Sequence, residues 1–453
     1  MGRKILVGLA VVGLAVFGWS QMSVAATFSN ADFSGTWSFY CDCQQEADTF
    51  NGWVYGTMES DGAGNITGGT GTNSLGESIT VPPGGTYTLN SDGTMTITLT
   101  DMTIHAAMND GKDVIAVVGT AINCGSDNHT EYNHGVAVKN QQGAFVEGDF
   151  NGTWNMYTAW QDKDAVNNGW VYGPITSDGA GGITAGTTLT FQDGTTDTIA
   201  ADSTYTVNAN GTMTVVTLNL ASGVTVDVIG AMNDGKDVVG IVYTVADGGV
   251  DIAYGAGTII KNQGGFDNSN FASDWSFYLS SQEKDAVDNG WVYGTLTSNG
   301  AGVITGGQAT NEGDGGAFFP IPPGTYTVNA NGTMTISIPG ATLIGAMADL
   351  KDVVGFVHTH TETPAAPVTG GGGGGGGCFI ATASFGTPMA EEVKSLCKFR
   401  DEVLMKTTAG RDFVELYYKT SPPIADFIRN KPALKAMVRE ALKPLIWLSR
   451  LVK

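Results

Sequence analysis

Cys41, Cys43, Cys124, His129 and His134 are the side chains in this sequence best suited to chemistry. A C-x-C pair, a third cysteine and two histidines supply enough soft sulfur and imidazole nitrogen to hold zinc or copper. That spacing matches no standard metal motif. The same cysteines suit a disulfide if the chain reaches an oxidising compartment. A bridge from Cys124 to Cys41 or Cys43 is the leading expectation, with one thiol left over and the metal set as the alternative. No catalytic group competes with these. Gln161-Asp162-Lys163-Asp164 and Gln282-Glu283-Lys284-Asp285 place carboxylates near a lysine, as acid–base work would need. The related Gln45-Glu46-Ala47-Asp48 lacks the lysine, so a solvated loop is the expectation there. No catalytic residue and no cofactor is expected, and the chain reads as a non-enzyme.

The elements that must position these residues come from an internal repeat. Asn51-Gly52-Trp53-Val54-Tyr55-Gly56 returns at Asn168–Gly173 and again at Asn289–Gly294. The three tryptophans, Trp53, Trp170 and Trp291, lie 117 and 121 residues apart, a distance that suits a small domain and is too long for a solenoid unit. The cysteines and the five histidines do not recur with the repeat. Segment boundaries follow: 1–26 at the N-terminus, repeats at 27–145, 146–266 and 267–362, a Pro/Gly linker at 363–377, and a different domain at 378–453.

Each copy reads as short strands bounded by glycine turns such as Asp61-Gly62, Asp92-Gly93 and Asp110-Gly111. In the first copy the expected strands are 36–43, 51–59, 64–70, 85–90, 94–100, 102–108, 113–120 and 134–139. Cys124, His129 and His134 are then placed in one loop before the last strand. Trp37, Phe39, Cys41 and Cys43 share one parity of the first strand, and Ser38, Tyr40 and Asp42 the other, which is the pattern of a half-buried strand. Recurring methionines at 95, 213 and 334 and at 108, 232 and 347 fit core filling. Eight sequential strands suggest an antiparallel meander that avoids exposed edges by closing into a barrel.

Gly35-Thr36-Trp37 and Gly152-Thr153-Trp154 resemble the G-x-W that opens the first strand of lipocalins and related meander barrels. The resemblance implies a basic residue of the last strand packed over the tryptophan. Lys139 in GVAVKN and Lys261 in GTIIKN stand at that place, giving expected pairs Trp37–Lys139 and Trp154–Lys261. It also implies room for a small apolar ligand, although large apolar residues along the inward face favour a filled core. The third copy departs from the pattern. Ser273 replaces the glycine, and the stretch that should form its last strand holds Pro364, Pro367 and eight glycines, Gly370 to Gly377. The third barrel is therefore expected to stay open or to be closed from outside its own repeat.

Both ends have a separate character. Arg3-Lys4, an apolar run from Ile5 to Trp19 and small residues at Ser23–Ala26 have the form of a signal peptide. Residues 27–377 carry a net charge of −29, which disfavours a nucleic-acid partner, while residues 378–453 carry +5. In that basic tail, helices are expected from Thr387-Pro388 onward. Cys378-Phe379-Ile380-Ala381-Thr382-Ala383, Phe399-Arg400-Asp401, Tyr417-Tyr418 and Ser421-Pro422-Pro423-Ile424 resemble the bacterial C-terminal sorting domain named for its CFI box. The resemblance implies export followed by recognition near Cys378 by sorting or export machinery, with processing or attachment there. The basic amphipathic helix expected over 432–452 is read first as packing on its neighbours, with contact to a membrane surface or the cell envelope as the alternative. The expected fold class is mainly β, with three tandem antiparallel meander β-barrel-like modules, the third incomplete, and a small α-helical domain. The expected role is an exported surface or extracellular protein; a lipocalin-like binder of an apolar ligand and a metal-binding protein are the alternatives.

Overall fold

The computed structural model describes residues 12–19, 27–45, 51–124, 129–140, 144–163, 168–281, 290–311, 318–349 and 351–360. The linker, the basic tail and Cys378 lie outside the described residues. Contacts divide the chain into two compact units, Met1–Ala366 and Pro367–Lys453, and the three repeats all belong to the first.

Each repeat lies in one curled antiparallel sheet of nine strands; the first two repeats supply all nine themselves. In the first, the spatial order is Ser78–Val81, Ile66–Asn73, Asn51–Ser60, Gly35–Gln45, His129–Lys139, Val114–Cys124, Met102–Met108, Thr94–Thr98 and Thr86–Leu89. The meander thus runs both ways from a central pairing of the first strand with the last. The ends of the curl touch at Asn65 and Thr86, and Ile66 N–H and Tyr87 N–H bond across the gap at 2.8 and 2.9 Å. The second repeat has the same order, with Gly152–Asp162 beside Val250–Lys261 and its ends bridged at Gly182 and Thr204. The ninth strand, Ser78–Val81, was not expected; it pairs Thr70 with Thr80, and its exposed Ser78 and Thr80 alternate with half-buried Ile79 and buried Val81.

Alternation along these strands builds the module cores. Tyr87, Leu89, Met95 and Ile97 are buried while the threonines between them face out. The first core gathers Phe33, Trp37, Ile66, Met95, Met108 and Ile115, and equivalent sets fill the other two. Ahead of each first strand a short 3-10 turn sets a phenylalanine against the tryptophan. Ring centroids are 5.1 Å apart for Phe33 and Trp37, 4.6 Å for Phe150 and Trp154, and 4.4 Å for Phe271 and Trp275. The glycine of G-x-W is a backbone requirement: Gly35 and Gly152 both sit at φ 101°, a region that L side chains avoid. Ser273 occupies the same position at φ 85°.

Two expectations need correction. Cys124, His129 and His134 do not share a loop. Val114–Cys124 and His129–Lys139 form a long hairpin in which each strand has eleven residues, and His129 pairs with Cys124. The other parity of the first strand is not a solvent face either. Tyr40, Asp42 and Gln44 are buried, as are Tyr157 and Tyr278. The three sheets turn these faces toward one another, and a fourth core forms between them from Tyr40, Trp53, Val136, Tyr157, Trp170, Val238, Tyr278, Trp291 and Val353.

The third repeat has no last strand of its own among the described residues. The place is taken by Val12–Trp19, which lies antiparallel between Ala272–Ser281 and Val353–His360. Phe17 pairs with Tyr278 on one side and Gly355 on the other. In the first repeat Val136 stands between Tyr40 and Ala116 in the same way. The segment read as a signal peptide is therefore also the strand that completes the third sheet.

Candidate functional site at the seam of the three modules

The paired residues expected inside the modules lie together. Lys139 Nζ is 5.6 Å from the Trp37 ring centroid, and Lys261 Nζ is 5.3 Å from that of Trp154. Each indole N–H donates to the carbonyl of the phenylalanine before it, at 3.2 Å from Trp37 and 3.0 Å from Trp154. Trp275 is as deeply buried, yet its N–H has no partner among the described residues.

The cysteine and histidine set is not brought together. In register, Cys41 faces Gly135, Cys43 faces Asn133 and His134 faces Asp42. Since successive residues of a strand point to opposite faces, His134 lies on the seam side while Cys41 and Cys43 lie on the inner side. The expected metal ligands are thus divided by the sheet itself. The expected disulfide is not formed: Cys41 is a free thiol and the Cys43 thiol donates to Asn133 Oδ1 at 3.1 Å. Cys124 stands two strands away from Gly35–Gln45, at about 10 Å by strand spacing alone, where a bridge needs Cα atoms within about 7 Å. Burial, with the Asp42 charge adding, pushes the Cys41 thiol far above its ordinary range, which leaves it protonated and unreactive.

What the repeat does bring together is the seam. The Trp53 indole N–H of the first module donates to Thr244 Oγ1 of the second at 3.0 Å. Trp291 of the third donates to Thr120 of the first at 2.8 Å. The tyrosine two residues after each tryptophan stacks within its own module: Tyr40–Tyr55, Tyr157–Tyr172 and Tyr278–Tyr293 lie 6.1, 6.1 and 5.6 Å apart and are nearly parallel. Tyr278 also donates to the Ala106 carbonyl at 2.8 Å. Beside it, Asp42 accepts from His134 N–H at 2.9 Å and from Gln44 Nε2 at 3.1 Å, and that amide reaches Ser280 of the third module at 2.7 Å. Gln161 belongs to this buried layer too, not to the solvated loop expected for it.

Carboxylates lock the seam in one direction. The turn Asn109-Asp110-Gly111-Lys112-Asp113 recurs as Asn233–Asp237 and as Ala348–Asp352. Its lysine sits at positive φ in all three copies, near 58° to 60°, which sends the lysine outward and the aspartate inward. Lys112 and Lys236 form ion pairs with Asp32 and Asp149, each at 2.8 Å. Asp113 accepts from Asn233 Nδ2 of the second module at 3.1 Å, and Asp237 accepts from Asp349 N–H of the third at 2.9 Å. Asp352 returns to the first, accepting from Gly111 N–H at 3.0 Å and Asn109 Nδ2 at 3.1 Å. Three modules in one chain thus imitate a closed head-to-tail ring.

No cation neutralises this ring among the described residues, so its charge state responds to burial. Burial pushes the Asp352 carboxyl up to about 7; the Gly111 N–H opposes this, and the charges of Asp113, Asp237 and Asp110 add to it. Asp237 is raised for the same first reason, against the Asn233 and Asp349 hydrogen bonds. Asp352 lacks a side-chain amide donor from its own turn. Asn109 donates to Asp113 and Asn233 to Asp237 within their own turns, at 2.8 and 2.9 Å, whereas the third copy has Ala348 at that place.

No protein-family model matches the chain, and no curated protein is similar to it in sequence. Solved structures with a slight likeness to the chain include a protein of unknown function from the DUF3598 family of Nostoc punctiforme. That likeness is 10% identical, covers 52% of this chain and 99% of the other, and has a TM-score of 0.22. Kievitone hydratase from Nectria haematococca is 10% identical over 53% of this chain and 95% of its own, with a TM-score of 0.21. Transferrin binding protein B from Haemophilus parasuis is 9% identical over 72% and 75%, with a TM-score of 0.18. Likenesses this slight carry no argument about function, and the chain stands as a mainly β protein of three curled antiparallel sheets.

Proposed function

We propose that the chain is an exported, non-catalytic protein that carries its three β modules as one rigid body to the cell surface or the medium. Its C-terminal 76 residues are the part read by sorting machinery, with Cys378 as the recognition point. The observation that supports this most is where the recurrent residues go. Trp53, Trp291, Asp113, Asp237 and Asp352 serve contacts between modules. A body held by its own repeats suits display or a structural role. Module interiors filled by tryptophan, methionine and branched side chains turn the reading away from an enclosed apolar ligand.

Fractionation of the producing cells tests this proposal. Wild type should appear outside the inner membrane without residues 1–26, and Cys378→Ser should leave the modules folded while changing location or C-terminal mass. A cytosolic wild type with an intact N-terminus would refute export. Identical location and mass for Cys378→Ser would refute the role of that cysteine.

A further inference from the structure

The third sheet is complete only because Val12–Trp19 enters it, and that is the segment an exported chain gives up. We propose that the slot between Ala272–Ser281 and Val353–His360 is a strand-acceptor site. Once the N-terminal segment is removed, it takes an extended segment of another protein, apolar on both faces and ending in a lysine or arginine. The inference rests on the export reading above.

Four features define the occupant. Both walls of the slot are strand edges, so a guest gains main-chain hydrogen bonds on two sides, the strongest form of strand addition. Val12–Trp19 pairs with Ser276–Leu279 on one edge and with Val353–Thr359 on the other. Left empty, these edges are the kind of exposed pairing surface that β proteins otherwise cover. The walls are apolar on both faces, with Trp275, Phe277, Val354 and Phe356 toward the module core and Val353 and Val357 toward the seam. A guest must therefore present apolar side chains at alternating and intervening positions, as Val136, Ala137 and Val138 do in the first module.

The basic end of the guest follows from Trp275. Register places Trp19 opposite Ser276, where Val138 stands opposite Ser38. The next position in register is that of Lys139 and Lys261 over their tryptophans, and Trp19 is followed in the sequence by Ser20, not by a lysine or arginine. The N-terminal strand thus fills the slot without supplying the cation that the other two sheets use. A guest ending in lysine or arginine would supply it.

The test uses the chain purified from its own cells and a peptide with the sequence of Tyr132–Lys139, which fills the equivalent slot of the first module. Intact mass first reports whether residues 1–26 are gone, which judges the export reading alone. Hydrogen exchange then reports the slot. In the processed chain, amides of 276–279 and 353–357 should exchange faster than those of 38–41 and 114–118. The peptide should protect them, and its lysine-to-alanine version should bind about fivefold more weakly. If residues 1–26 are retained, the slot stays filled by its own strand, and the acceptor site falls together with the export reading. Amides already protected in the processed chain, or no protection of the processed chain by the peptide, would overturn the acceptor site alone.

Discussion

Asp352→Asn should abolish much of the pH dependence of stability in this protein, and the sign is unusual. A carboxyl raised in the folded state favours folding below its unfolded pKa and loses that contribution as pH rises through the folded value. For Asp352 the window runs from the ordinary 3.8 to about 7. Between pH 5 and 7 the folded state holds a proton that the unfolded chain has released. At about 1.4 kcal/mol per pH unit, wild type should lose about 2 to 3 kcal/mol across that interval. Asp237, raised for the same cause, adds a slope of the same sign. Asp32 and Asp149 act elsewhere. Partial burial pushes them up, but Lys112 and Lys236 hold them below the ordinary carboxyl value, so their support is lost only in stronger acid. Urea unfolding from pH 5 to 8 measures the effect. The substituted amide keeps a carbonyl oxygen for Gly111 and carries no charge, so the variant should match or exceed wild type at pH 8 and show a shallower slope. Equal slopes in both proteins would refute a buried, proton-holding Asp352.

Three further outcomes follow from the geometry. Lys139→Ala and Lys261→Ala should each cost about 0.5–2 kcal/mol, read as a lower urea midpoint; an unchanged midpoint in both would remove the stacks over Trp37 and Trp154 from the account. Ser273→Gly should stabilise the chain by about 1 kcal/mol, because it relieves a side chain held at φ 85°; a loss in thermal stability would contradict this. Trp53→Phe keeps most of the apolar contact but leaves Thr244 without its donor, and should lower the urea midpoint by an amount worth about 1 kcal/mol.

Much of the module was legible in the sequence, since it depends on local rules. Period-two alternation identified the inward face of the first strand, Asp-Gly turns marked several strand ends, and GVAVKN and GTIIKN marked the strand that returns to Trp37 and Trp154. The seam was not legible, because its residues look like surface. Asp42, Gln44 and Gln161 are polar, and a strand with one apolar face reads as solvated on the other. A signal was present all the same: Tyr40, Tyr157 and Tyr278 put a large aromatic at the same outward position in all three copies. The turn at Asp110-Gly111 was legible, but only packing shows that Asp113 just after it crosses to the next module. The role of Val12–Trp19 was hidden by composition, for an apolar run behind two basic residues reads as a signal peptide whatever sheet it can also join.

If the three repeats fold as one body through a head-to-tail seam, scanning calorimetry of wild type and Gly240→Val will show it. A Cβ at Gly240 would stand 2.3 Å from Val136 Cγ1 of the neighbouring module, so the substitution forces the seam apart. One cooperative transition is expected for the three modules, with calorimetric and van't Hoff enthalpies equal, and a downward shift of that whole transition in Gly240→Val. Separate transitions in wild type, or a shift confined to one of them in the variant, would contradict it.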